Sequence, residues 1–202
     1  MVALMSDITK KLPGRPRSTQ SHQAMLQATL ELLAEVGFEA MSIDAIATRA
    51  GVGKTTIYRR YNGKEELVAD AIESVRQDVV IPDTGNLWSD IDALIENAAH
   101  TTLSSLGRQT VAMIISSASS NSQFAEIYRT KYLQPRRQAF AIVLERAKAR
   151  HEIQADLDPG LVFDVMSGIM LYALMFQPTT ESWEGYVRRA LGLFLRGASN
   201  RS

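Results

Sequence analysis

Along the first third of the chain the apolar positions recur with the spacing of an α-helix. Met25, Ala28, Leu32, Leu33 and Val36, with Thr29 between them, follow the i, i+3, i+4, i+7 pattern, and Gly37 ends the run where a left-handed cap is wanted. Ser42 is placed to cap a second helix whose buried stripe is Ile43, Ile46, Ala47 and Ala50, with Asp44 in the first turn, where a negative charge is favourable. Gly51-Val52-Gly53 breaks it, and a short third helix is predicted from Lys54 to Tyr61. Asn62 followed three residues later by Glu65 resembles a capping box opening a fourth helix through Val68, Ile72 and Val75. Pro82 to Asn86 is the next cluster of turn formers and the predicted boundary between two halves. Helical spacing then predicts segments at about 87–106, 108–119, 123–150, 159–177 and 182–197, giving about nine helices with no competing strand alternation. Pro135 falls inside the 123–150 pattern and is expected to kink or split it. From Leu161 to Phe176 the chain is apolar on almost every side, so this helix must be covered all round. The predicted fold class is all-α.

Composition narrows the chemistry. The 202 residues are 46% hydrophobic and 22% charged, values of an ordinary globular chain. Zero cysteine removes disulfides, thiolate zinc sites and cysteine nucleophiles. His22, His100 and His151 are far apart and have no i, i+4 partners, so no metal site is expected. The serines between Ser116 and Ser122 lack the glycines of a nucleophile elbow, and neither catalytic residues nor a cofactor is expected. With charges following a short apolar patch at the start and no apolar run of about 18 residues recognised, neither export nor a membrane is expected, and the cytoplasm is the predicted location. Acids and bases balance at 22 each, but unevenly. Between Lys10 and Lys64 stand nine Lys or Arg against Glu31, Glu35, Glu39 and Asp44, a basic end suited to a polyanion.

The segments Ile43 to Ala50 and Lys54 to Tyr61, joined by a glycine-containing turn, match a helix-turn-helix in length and turn chemistry. The second helix is too polar for a core. It offers Lys54, Thr55, Thr56, Tyr58, Arg59, Arg60 and Tyr61 around one obvious anchor, Ile57, and these donors suit phosphates and base edges. The plain alternative is a solvated surface helix, for which Thr-Thr and Tyr are poorer choices than Lys and Glu. Gly53-Lys54-Thr55 also ends like a phosphate-binding loop. That reading fails on context, because Thr48 stands where the loop needs glycine, Arg49-Ala50 where the variant loop needs Lys-Gly, and no strand precedes it.

The stretch ATLELLAEVGFEAMSIDAIATRAGVGKTTIYRRYNGKEELVADA, within Met25 to Ala71, resembles the DNA-binding domain of TetR-family transcriptional regulators. The resemblance implies that Ile43 to Ala50 supports a recognition helix from Thr55 to Tyr61. It further implies that Ser42, Tyr58 and Lys64 clamp the DNA backbone, while Thr55, Thr56 and Arg60 face bases. Gly53 departs from the pattern, occupying a place often held by a capping Ser or Thr. Ahead of this stretch the GRPR string resembles an AT-hook. There the prolines would hold the chain extended and let Arg15 and Arg17 enter a minor groove; a tail that only adds nonspecific charge fits the composition equally well.

In the second half Trp88, Met113, Phe124, Tyr128, Tyr132, Phe140 and Met170 are enough large side chains to line a cavity, or simply to fill a core. The stretch QPRRQAFAIVLERAKARHEIQADLDPGLVFDVMSGIMLYALM resembles TetR-like C-terminal domains, which bind a small molecule and dimerise through their last two long helices. The resemblance implies a homodimer using Val162, Met166, Ile169, Trp183, Val187, Leu191 and Phe194, and an operator of duplex DNA. It implies an effector as well, expected to be mainly apolar or aromatic and of low charge, with Tyr128, Tyr132 and His100 as its hydrogen-bonding partners. The expected organisation is a basic arm over 1–20, a DNA-binding domain over 21–81, and a ligand-binding and dimerisation domain over 87–202. A ligand-responsive repressor and a DNA binder whose second half is packed shut both remain open.

Overall fold

Local capping sets most of the helix boundaries. The computed structural model describes residues 16–76, 81–176 and 180–199. Its helices are α1 (Pro16–Ala40), α2 (Ile43–Ala50), α3 (Lys54–Tyr58), α4 (Lys64–Ser74), α5 (Leu87–Thr102), α6 (Ser105–Ser120), α7 (Ser122–Tyr128), α8 (Gln134–Ala149), α9 (Pro159–Phe176) and α10 (Trp183–Ser199), with a π-turn at Arg129–Leu133. Since α7, the π-turn and α8 run on without a break, the rods number nine among the described residues, and no strand occurs there. The fold is all-α, as the spacing predicts.

The Ser42 hydroxyl accepts from the Ala45 amide at 3.2 Å, and Gly51 closes α2 in the left-handed conformation at φ 64° and ψ 33°. Gly37 also has positive φ, 76°, but its ψ of 172° extends the chain instead of forming a left-handed cap. Three further expectations change. Glu65 is not the capping-box partner: the N-cap of α4 is Gly63, and it is the Glu66 carboxylate that accepts from the Asn62 amide at 3.1 Å and its side-chain nitrogen at 3.0 Å. Gly107 does not separate two helices. It lies inside α6, where an added Cβ would meet the Thr101 carbonyl oxygen at 2.1 Å, so the glycine permits close approach, while Ser104 caps α6 through the Gly107 amide at 3.0 Å. Pro135 does not split its rod, because it falls in the first turn of α8 directly after the π-turn, where the missing donor is tolerated.

Two cores form. In the first, Met25, Leu32, Phe38, Ile46, Ile57, Leu67 and Ile72 from α1 to α4 pack with Phe124 and Tyr128 of α7. The DNA-binding half therefore draws part of its core from beyond Pro82–Asn86. In the second, α5, α8, α9 and α10 meet through Ile91, Ile95, Val143, Leu144, Val162, Val187 and Leu191. This placement corrects the dimer set: Val162, Met166, Trp183, Val187 and Leu191 are buried within the subunit, and Ile169 and Phe194 are half-buried at its edge. The faces left open carry Leu161, Tyr172, Met175 and Phe176 on α9 and Leu193 on α10. A second correction concerns α9, whose 18 residues have a mean hydropathy of 1.6 and do reach the length and apolarity of a membrane span. Its contacts with α8 and α10 explain one side of that apolar surface.

Phe124 was expected to line a cavity and is instead wholly buried, 5.6 Å between ring centroids from Phe38 and 5.7 Å from Tyr128. Phe124→Ala is expected to destabilise the protein by about 3–5 kcal/mol through lost transfer energy and the residual void. Denaturant titration checks this, and a loss below about 1 kcal/mol contradicts the core assignment.

Candidate nucleic-acid interface and the neighbouring cavity

Helix α3 is short, polar and pinned from below. Ile57 is fully buried, and one turn later Tyr61 is 4% exposed, so the segment has two anchors at i, i+4. The amides of Arg59, Arg60 and Tyr61 continue its turn by bonding to Thr55 and Ile57 carbonyls at 2.8–3.1 Å. Tyr61 is therefore a core residue and not a DNA contact. Its ring lies beside His22, whose Nε2 is 2.8 Å from the Tyr61 hydroxyl, and burial raises its pKa, with Asp70 adding to the effect.

The remaining expected contacts emerge on one side. Lys54, Thr55, Tyr58, Arg59 and Arg60 are exposed, Tyr58 by 57%, whereas Thr56 is half-buried. Ser42, also exposed, spends one lone pair on its cap. Lys54 pairs with Asp44, and Arg49 pairs with Glu35 at 2.6 Å, which ties α2 to α1 and α3 to α2. Lys64 is more committed than expected. Its ammonium donates to the Phe38 carbonyl at 2.7 Å and the Met41 carbonyl at 3.2 Å and sits 4.4 Å from the Phe38 ring centroid. Arg15 lies outside the described residues, as does the side chain of Arg17; Pro16 opens α1, so the backbone at Arg17 is helical, not extended. Gly53 caps α3 with no side chain, as its departure from the family pattern implies.

Behind this head, α4 meets α7, the π-turn and α8 through a polar seam. Asp70 accepts from Tyr132 and from Lys131 at 2.7 Å; Glu73 accepts from Arg136 and from Tyr128 at 3.3 Å. Burial, then the Asp70 hydrogen bond, raises the pKa of Tyr132. Sequence reasoning missed this seam, for its acids and bases stand more than sixty residues apart.

Beyond the seam lies a cavity of about 340 Å³ between α5, α6, α8 and α9, within the usual range for small-molecule sites. Three expected residues line it: Tyr128, Phe140 and Met170. Five do not. Trp88 packs against the second core under Arg188, His100 is exposed, Met113 and Tyr132 pack against the first core, and Phe124 is inside it. The lining the sequence did not single out includes Ile114, Ile115, Phe163, Leu174 and, at one corner, Arg76 and Arg136.

Residues 25–71 match the family described as bacterial regulatory proteins, tetR family, and residues 81–193 match the tetracyclin repressor-like C-terminal domain. The second match alone spans more than half of the chain. The chain belongs to the TetR family. A relative from Bacillus subtilis (strain 168), the uncharacterized HTH-type transcriptional regulator YdeS, is 35% identical over 87% of this chain and 88% of its own. The DNA-binding transcriptional repressor TetR of Mycobacteroides abscessus is 30% identical over 75% of this chain and 80% of its own. In three dimensions the TetR-family transcription regulator SCO0332 superposes with a TM-score of 0.63 at 25% identity, covering 88% of this chain and 98% of that one. This TetR-family chain is a DNA-binding transcriptional regulator, and its relatives share that role.

Of the two tyrosines at the seam, Tyr128 sets a pH dependence that a single substitution can isolate. Burial pushes the Tyr128 hydroxyl up from 10.0 to about 12, a rise that Glu73 reinforces and Arg76 opposes. A group raised on folding stabilises fully below its unfolded value and loses that contribution as pH climbs through the folded value. Stability is therefore expected to fall between pH 10 and 12, and less so in Tyr128→Phe. Denaturant titrations at pH 8, 10 and 11.5 check this; an identical alkaline loss in the variant contradicts it.

Proposed function

We propose that the protein is a ligand-responsive repressor that binds a pseudo-palindromic operator as a homodimer in the cytoplasm. The observation that carries the DNA contact is α3 with the turn that follows it, a segment anchored at Ile57 and Tyr61 with Lys54, Thr55, Tyr58, Arg59 and Arg60 exposed. A single head has few base contacts, and two heads spaced about 34–36 Å apart would read one face of a duplex. In this reading Tyr58 and Ser42 hold phosphates, and Thr55, Thr56 and Arg60 read base edges. Lys64 contributes its remaining N–H to phosphate while bracing α4 against the end of α1. The repressor role follows the name of the Mycobacteroides relative.

The partner surface supports a dimer. Leu161, Tyr172, Met175, Phe176 and Leu193 form an exposed apolar set on the last two helices, and a second copy covers it isologously. This cover, rather than lipid, accounts for the apolarity of α9. Ligand response rests on the cavity, and coupling requires only that an effector bind one separation of the heads better than the other.

Selection of bound DNA from random duplexes tests the whole reading and is expected to return a two-fold symmetric site. With that site in hand, Arg60→Ala is expected to cost about 1–3 kcal/mol at particular base pairs, and Tyr58→Phe to weaken all sites alike. A uniform loss for Arg60→Ala would move it to the backbone. The interface has its own test. Tyr172→Asp, at a residue 56% exposed, is expected to give a folded monomer, while Val187→Asp, at a wholly buried one, unfolds the chain. Sedimentation with circular dichroism checks both, and a wild-type monomer at micromolar concentration refutes the dimer.

A further inference from the structure

The cavity is mostly apolar, with Asn97, Thr101, Thr102, Ser167 and Tyr128 as its uncharged polar lining, and the charge on its wall is lopsided. Arg76, from the residue after the α4 C-cap, and Arg136, from the first turn of α8, both line it. Among the described residues they share one carboxylate. Glu73 is ion-paired to Arg136 and lies 3.9 Å from the Arg76 Nε, which is buried without a hydrogen-bond partner. Among the described residues, two guanidiniums against one carboxylate leave a positive charge beside a space walled by Phe140, Phe163, Met170 and Leu174. A buried donor without a partner is costly, and a guanidinium fork matches a carboxylate best. Glu73 itself does not line the cavity, whereas both of its arginine partners do.

We infer that the cavity takes an amphipathic monoanion, a carboxylate on an apolar body, whose head group binds Arg76 and Arg136 and competes with Glu73 for Arg136. The inference rests on the ligand-responsive reading and deepens it. It replaces the low-charge effector expected from the sequence with an anionic one. It also gives the effector a way to act: drawing Arg136 off Glu73 loosens the contact between α8 and α4, the helix that follows α3. The ligand then binds better to the state in which that contact is open, which is the differential affinity a switch requires.

The test uses the full chain and the displacement of 8-anilinonaphthalene-1-sulfonate by three probes of equal length at pH 7.5: decanoate, 1-decanol and decylamine. Decanoate is expected to displace the dye at a concentration at least tenfold below that of decanol, with decylamine weakest. Arg136→Gln should erase this preference, and Arg136→Lys, which keeps the ion pair, should reduce it. Glu73→Gln carries the sharpest sign: removing the competitor should tighten decanoate threefold or more and leave decanol unchanged, whereas damage to the fold would weaken both. Ala98→Trp, filling the cavity, should abolish displacement by all probes. Decanoate and decanol bound alike, with Ala98→Trp still blocking both, would overturn the anionic head group and leave the sensor reading intact. Weaker decanoate binding in Glu73→Gln would overturn the competition. Failure of every probe to bind, with Ala98→Trp indistinguishable from wild type, would remove the sensor reading and this inference together.

Discussion

The rest of the structure depends on the burial of Phe124 and Tyr128 beside α4. These two rings, from a helix that follows α6, complete the core that holds Ile57 and Ile72. Without them the head of α1 to α4 has a small core, and small cores rarely supply enough free energy on their own. With them, the position of α3 is tied to the position of α7, and through the π-turn to the position of α8. The π-turn stands where Pro135 deprives the rod of a donor, and it directs Tyr132 and Lys131 towards Asp70. Irregular backbone, interdomain ion pairs and the cavity wall thus converge on one short stretch of chain.

Charge placement follows the same logic. Exposed ion pairs such as Arg129 with Glu126 contribute little to stability, since solvent screens them and ordering long side chains costs entropy. The pair of Glu73 with Arg136 is different because both side chains are below 20% exposed. Removing one partner would leave the other poorly solvated, so the pair defines a closed arrangement that is costly to open without a substitute. That property suits a joint between two functional halves better than it suits a source of stability.

Local signals were legible in the sequence, and long-range ones were not. Ser42, Gly51 and the stripe of Ile46 and Ala47 act within a few residues of themselves, so spacing alone placed α2. The helix-turn-helix was legible for the same reason. Tyr61 was misread because a tyrosine after a basic run looks like a surface donor, and its burial is decided by α1 and His22, 39 residues earlier. The cavity was misread in a different way. Size alone marks a large side chain as a cavity candidate, but Phe124 and Met113 belong to the first core, and the charged part of the lining comes from Arg76 and Arg136, sixty residues apart. On α9 and α10 an apolar helix announces that it needs cover without saying which face the subunit covers itself. Val162 and Val187 went inward, and Tyr172 and Leu193 stayed out.

The shared core makes the reading head and the cavity half one mechanical unit joined through α7. Amide hydrogen exchange at increasing denaturant tests it most directly, because it resolves the opening free energy of each helix. Slow amides of α4, such as those of Leu67 and Val68, are expected to merge into the same global unfolding as those of Val143 and Leu144 in α8. If α1 to α4 open at a free energy several kcal/mol below α8, with α7 remaining protected, the head is an independent unit and α7 does not join the two halves.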